Sequence, residues 1–193
     1  MAVVLSKGGS VSLSKAAGPR GLASLTIGLG WDPNDASGAV WDLDASALII
    51  DSANRVLSDE HFVFYNNLAS PESSVKHSGD NRDGEGDGDD EQLVLELPLV
   101  PATGHSIRFI VSIDDADAKQ QSFGQVKNAF IRVVNNEDDT ELARFDLSDG
   151  ASSETALTFG EVYRDGADWK FRALGDGHTG GFVGILRDHG VGI

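Results

Sequence analysis

No cysteine occurs among the 193 residues, which excludes disulfides, thiolate nucleophiles and cysteine-held zinc or iron–sulfur centres. Basic side chains are scarce: 15 Lys and Arg stand against 31 Asp and Glu, a formal net charge of −16. So negative a chain repels nucleic acid and anionic lipid, and attracts divalent cations or basic protein surfaces. No stretch approaches the ~18 consecutive apolar residues of a membrane span. The opening residues, Met1-Ala2-Val3-Val4-Leu5-Ser6-Lys7-Gly8, lack the basic start and apolar run of about 7–15 residues that mark a secretory leader. These absences lead to the expectation of a soluble, cytoplasmic chain, folding as one domain over residues 1–193 with a sizeable core.

What the chain does have is concentrated in Gly79 to Glu91, which reads G-D-N-R-D-G-E-G-D-G-D-D-E. Seven of these residues are acids and one, Arg82, is basic. The run has no apolar face to bury, so it is neither a core strand nor an amphipathic helix. Like charges ~5 Å apart at a surface-like dielectric repel by roughly 3 kcal/mol per pair, so the run needs a counter-charge if it is to close on itself. An acidic linker is the plainer reading of any such run. Against it, glycines interleave with the acids, and a well-patterned strand begins at once afterward. Glycines allow carboxylates to fold inward around a point, and a hard cation takes ~6–8 oxygen ligands. Calcium is therefore the expected ligand. Neither EF-hand register fits: starting at Asp80 puts Arg82 and Gly84 in ligand slots, and starting at Asp83 puts Val94 at the last one. The site must then be completed from elsewhere in the chain.

Period-two alternation supplies the rest of the framework. Val11 and Leu13 alternate with serines, and Leu25, Ile27, Leu29 and Trp31 form a clean inward set that ends in Asp32-Pro33-Asn34-Asp35. Trp41, Leu43, Ala45, Ala47 and Ile49 face one way, with Asp42, Asp44 and Ser46 opposite. Further strands are expected at His61 to Asn66, Leu93 to Leu99, Ile107 to Ile113, Phe130 to Val134, Leu142 to Leu147 and Leu157 to Tyr163. A hairpin through Asp165-Gly166-Ala167-Asp168 leads into Trp169 to Leu174. About ten short strands separated by turn signals predict an all-β, antiparallel β-sandwich of two sheets. Short helices are predicted at Gln120 to Lys127 and Gly181 to His189.

Asp42 and Asp44 leave the same face of one strand, ~7 Å apart. Either they line a solvent-facing edge or they deliver two ligands to the cation, with Asp32 on the neighbouring strand as a third contributor. The clusters Asp114-Asp115-Asp117 and Glu137-Asp138-Asp139 read as solvated turns. Glu161, an isolated acid on an apolar strand, is expected to pair with Arg164 or Arg172. The acidic run carries a net −6, and Asp42 with Asp44 brings this to −8; two divalent ions would leave −4, so two ions are the better expectation.

Several of these residues also carry a family resemblance. Trp31-Asp32 after Gly-Leu-Gly, Asp42-Leu43-Asp44-Ala45-Ser46 and Phe64-Tyr65-Asn66-Asn67-Leu68 resemble the tellurite-resistance TerD family. So do Gly79-Asp80-Asn81, Gly84 to Glu91, Ser122-Phe123-Gly124-Gln125-Val126, Gly160-Glu161-Val162-Tyr163-Arg164 and Trp169-Lys170-Phe171-Arg172-Ala173. The order and spacing of these motifs, from about Val11 to Gly177, is what makes the likeness specific. It implies a two-sheet sandwich that binds calcium, two ions by expectation, in a bacterial stress-response role with no recognised catalytic centre. The ligands implied by motif match fall among Asp42, Asp44, Asp80, Asn81, Asp87, Asp89, Asp90 and Glu91; Asp32 joins them from its strand position.

The alternative is a metal-dependent hydrolase using the acidic cluster. None of the five histidines lies in an H-E-x-x-H or H-x-H pattern, so zinc hydrolysis lacks its usual ligands. No G-x-S-x-G nucleophile elbow or phosphate-binding G-x-x-x-x-G-K-[ST] loop is present. A non-enzymatic module is the expectation, with calcium ions and a protein as partners. Tellurite is an anion, so its direct capture by this surface is electrostatically disfavoured.

Overall fold

Residues that alternate in the sequence become strands stacked in two sheets. The computed structural model describes residues 2–33, 41–79, 88–147 and 153–193. In chain order the elements are β1 (Val3–Leu5), β2 (Ser10–Ser12), α1 (Leu13–Ala17), β3 (Ser24–Gly30), β4 (Leu43–Ile50) and β5 (Phe62–Val63). There follow β6 (Val75–His77), β7 (Glu91–Glu96), β8 (Ser106–Ile113), α2 (Ala116–Lys119), β9 (Phe130–Asn135) and β10 (Thr140–Asp146). β11 (Ala156–Asp165), β12 (Asp168–Gly177) and α3 (Gly181–Asp188) complete the set. The first sheet runs β1-β10-β9-β3-β7-β6 and the second β2-β12-β11-β8-β4-β5. Every pairing is antiparallel except β1 with β10. The all-β sandwich expected from the alternation is the observed fold.

The inward sets meet between the sheets: Leu25, Ile27 and Leu29 of β3 and Leu93 and Leu95 of β7 share one core with Leu43, Ala45, Ala47 and Ile49 of β4. Fully burying one such aliphatic chain contributes about 1.5–3 kcal/mol. A second, smaller core lies on the outer face of the second sheet, where Leu48, Ile50 and Ile110 pack under Ile185 and Leu186 of α3. For that reason β4 is buried on both faces after Asp44, and its polar side ends at Ser46.

Several local expectations are corrected. Leu13 does not continue a strand; the Ser12 side chain accepts from the Lys15 N–H at 3.2 Å and starts α1 there. β7 stops at Glu96, and Leu97–Leu99 make a single 3-10 turn, because Pro98 has no N–H for a ladder. β5 is only two residues long, since Phe64 and Asn67 exchange backbone hydrogen bonds in a tight turn. No α-helix spans Gln120 to Lys127: α2 has ended at Lys119, Gln120 is left-handed (φ 53°), and a Ser122–Gln125 capping box closes one 3-10 turn. The hairpin at Asp165–Asp168 and the helix from Gly181 form as read.

Glu161 is gripped across three strands. Its register partners are Arg172 on β12 and Arg108 on β8, and it takes Arg172 at 3.3 Å and Arg108 at 3.4 Å. Arg164 is not its partner; its guanidinium donates to the carbonyls of Gly104 and Val100 and lies over Trp169. Arg108 also donates to His189 Nε2 at 3.2 Å, while His189 Nδ1–H donates to the Asn54 carbonyl at 2.8 Å. Burial, reinforced by Arg108, holds His189 below its ordinary value of 6.5. The unfolded chain therefore takes up this proton first, so the stability His189 contributes is present above pH 6.5 and is lost as pH falls through the lowered folded value. Urea midpoints should fall between pH 7.5 and 5 more steeply in the parent than in His189→Gln; equal slopes would refute the linkage.

Candidate acidic site

Of the nominated ligands, Asp32, Asp42, Asp44, Asp89, Asp90 and Glu91 lie near one end of the sandwich, where β3 ends and β4 and β7 begin. Leu43 and Ala45 face the core, so alternation turns Asp42 and Asp44 to the opposite face of the second sheet. The β4–β8 register sets Asp44 beside Ser112, and the Asp114 N–H donates to the Asp42 carbonyl at 2.8 Å. Asp114 thus joins Asp42 and Asp44 at the same sheet end. The turn reading of Asp114 holds, since it is exposed in the turn after β8; the ladder adds that it directly follows the last apolar residue of β8, as Asp42 directly precedes the first of β4. Lys119 pairs with Asp114 at 3.2 Å.

The three successive acids entering β7 each find a different protein donor. Asp89 receives Arg132 Nε at 2.7 Å and Nη2 at 3.1 Å, and Gln92 Nε2 at 3.2 Å. Register explains this: Gly28 on β3 has Gln92 on one side and Arg132 on the other, and its missing side chain leaves the space that Asp89 fills. A Cβ at Gly28 would stand 2.1 Å from Asp89 Oδ2. The hydrogen bond that Arg132 donates to Asp89 is the main cause holding its guanidinium above its usual range. Gly28→Ala should therefore expel Asp89 from Arg132 and cost about 1–3 kcal/mol, read by chemical denaturation; parental stability would contradict this packing.

Asp90 accepts the Trp31 N–H at 2.9 Å, while its own N–H donates to the Leu29 carbonyl at 2.7 Å. Glu91 points inward and is 1% exposed. One of its oxygens accepts the Ala45 N–H. Ala45 needs this partner because the neighbouring pair, Asp42 with Asp114, is hydrogen-bonded toward β8. Ala45 therefore turns its N–H and C=O to the other edge, where β5 reaches only Ala47 and Leu48. The Ala45 carbonyl accepts from His77 Nε2 at 3.0 Å, and His77 Nδ1 accepts the Gly79 N–H at 3.1 Å. These two bonds define the neutral Nε2–H tautomer. His77 and Glu91, from the first sheet, thus complete the open edge of β4 in the second. His77 was not nominated from sequence, since no short motif marks a residue that serves a distant backbone.

Asp32 accepts Asn128 Nδ2 at 2.6 Å, and its N–H donates to the Lys127 carbonyl. Asp80, Asn81 and Asp87 lie outside the described residues. Among the described residues, no three His, Asp or Glu side chains converge closely enough to hold a metal.

Fold and site together define a two-sheet, all-β protein with one end dense in carboxylates. The chain belongs to the TerD family: the TerD domain matches residues 1–189. It is 52% identical to the tellurium resistance protein TerD of Serratia marcescens over 191 residues, covering 99% of this chain and 98% of that one. General stress protein 16U of Bacillus subtilis (strain 168) is 45% identical over 194 residues, with both chains covered in full. The crystal structure of a homologue of telluride resistance protein (TerD) from Streptomyces coelicolor A3(2) shares the fold. Its TM-score is 0.69 at 24% identity, over 84% of this chain and 94% of that one. These two curated relatives carry the names of a resistance and a stress protein. Among the described residues, no helix is long and apolar enough to cross a membrane.

Proposed function

We propose that this member of a tellurium-resistance and stress-response family is a calcium-binding module whose acidic end meets a partner protein once its charge is neutralised. The observation that carries the reading is the shared placement of Asp42 and Asp44 on one face at the sheet end, beside Asp114 in the turn that follows β8. Among the described residues, the side chains of Asp42, Asp44 and Asp114 offer oxygens alone. The nearest imidazole, His77, is committed to Ala45 and Gly79, which suits a hard cation and not zinc or copper. Asp42 and Asp44 would hold the ion from the second sheet, with the remaining oxygens drawn from the acidic run that precedes β7. Asp89, Asp90 and Glu91 anchor that run to Arg132, Trp31 and Ala45, so their first duty is to fix where it enters the fold. Calcium, when bound, would supply the positive charge that lets these carboxylates lie close together.

The test is metal analysis of purified protein dialysed from calcium buffer. Retention of about two ions per chain is expected, as the charge excess of the acidic run suggests. Asp42→Asn combined with Asp44→Asn should lower that number. Calcium no higher in the protein than in the dialysate would end the proposal.

A further inference from the structure

A cavity of about 180 Å³ opens on the outer face of the second sheet, between the start of β4, the end of β8 and the start of α3. Its floor includes Ser46, 1% exposed, whose Oγ has no hydrogen-bond partner among the described residues. Alternation turns Ser46, like Asp44, to this face. Phe64, Tyr65 and Phe182 wall the cavity, and Asp44, Asp114 and Asp115 rim it. The rings are braced: Phe64 stacks on Phe62 at 4.3 Å between centroids and meets Tyr65 edge-on at 5.3 Å, while Phe62 also touches Phe182.

Each part of this arrangement narrows the ligand. The volume is below the ~300–1,000 Å³ of sites for drug-sized molecules, so it suits one short side chain or its equivalent. The acids select a cation. A bare divalent ion needs ~6–8 oxygens, and aromatic walls supply none. A cation on an apolar stem uses everything present: the stem packs on the rings, the charge lies near their faces and the rim carboxylates. The Ser46 hydroxyl accepts one of its N–H bonds. Asp114 is also met at 3.2 Å by Lys119, which is not among the residues lining the cavity.

We infer that this cavity binds a primary ammonium on a short alkyl chain, such as the end of a lysine side chain or of a diamine. The cavity shares Asp44 and Asp114 with the proposed calcium site, but its floor and walls belong to the sheet and to α3, so the inference is tested without metal. It is tested by titrating n-pentylammonium into the protein in chelator and following backbone amide resonances of Ser46, Ser112 and Phe182. Saturable shifts are expected at those residues, with 1-pentanol and ammonium chloride each at least about tenfold weaker, the worth of one charge-assisted contact. Ser46→Ala removes an unpartnered hydroxyl and should fold normally, yet bind pentylammonium about tenfold more weakly. Acetyl-Gly-Lys-Gly-amide and cadaverine then separate the two sources: tighter binding of the peptide identifies a protein ligand, and tighter binding of cadaverine a free amine. Pentanol binding as well as pentylammonium, an unchanged Ser46→Ala variant, or shifts elsewhere on the surface would each overturn it. Failure here leaves the calcium stoichiometry untouched, so the two readings fall separately.

Discussion

Glu91→Ala should remove about 3 kcal/mol of stability, measured as a lowered urea midpoint at unchanged slope, in chelator at pH 7. Two losses add. The Ala45 N–H, on a buried strand edge, loses its acceptor, and an unmet buried donor costs about 1–3 kcal/mol. The truncated side chain also leaves a cavity between the sheets, at about 0.8 kcal/mol per missing CH₂ before any relaxation. Glu91→Gln keeps an oxygen for Ala45 and should cost about 1 kcal/mol. His77→Ala should fall between them, since the Ala45 carbonyl loses its donor from the same edge. If Glu91→Ala stays within about 0.5 kcal/mol of the parent, the usual range for a surface change, the two sheets are not joined in this way. Chelator matters here, because it separates the sheet contact from any share of Glu91 in metal binding.

Calcium should raise the melting temperature by roughly 5–10 °C once it stands at about 100 times its dissociation constant. That excess adds about 2.7 kcal/mol to the native state, and each kcal/mol moves the midpoint by roughly 2–4 °C in a chain of this size. Magnesium should act less, because it gives up its water reluctantly. Asp42→Asn with Asp44→Asn should reduce the calcium shift. A parent protein that melts at one temperature in chelator, magnesium and calcium alike would leave the acids as solubility alone.

Much of this molecule is legible in the order of its residues. The alternation of Leu25, Ile27 and Leu29 with Thr26 and Gly28 needs only the two-residue repeat of a strand, and β3 forms where it says. The hairpin at Gly166 follows from local turn chemistry, with φ at +61°. The motif order from Trp31 to Ala173 reads as TerD, and the family match bears it out. Misreadings cluster where a local device competes with the pattern: the Ser12 cap that starts a helix at Leu13, and Pro98, which stops β7 short of Leu99.

Composition and periodicity alone establish that this chain is an all-β sandwich, short of basic residues, with its acids crowded before one strand. They say nothing of where each acid goes. That Asp89 lies over Gly28 against Arg132, that Asp90 holds Trp31, and that Glu91 crosses to Ala45 depends on register between strands distant in the chain. Asp114 reaches the level of Asp42, and Ser46 comes to floor a cavity, for the same reason. Side-chain alternation is encoded within a strand, whereas the partner across the ladder is fixed only when whole sheets assemble.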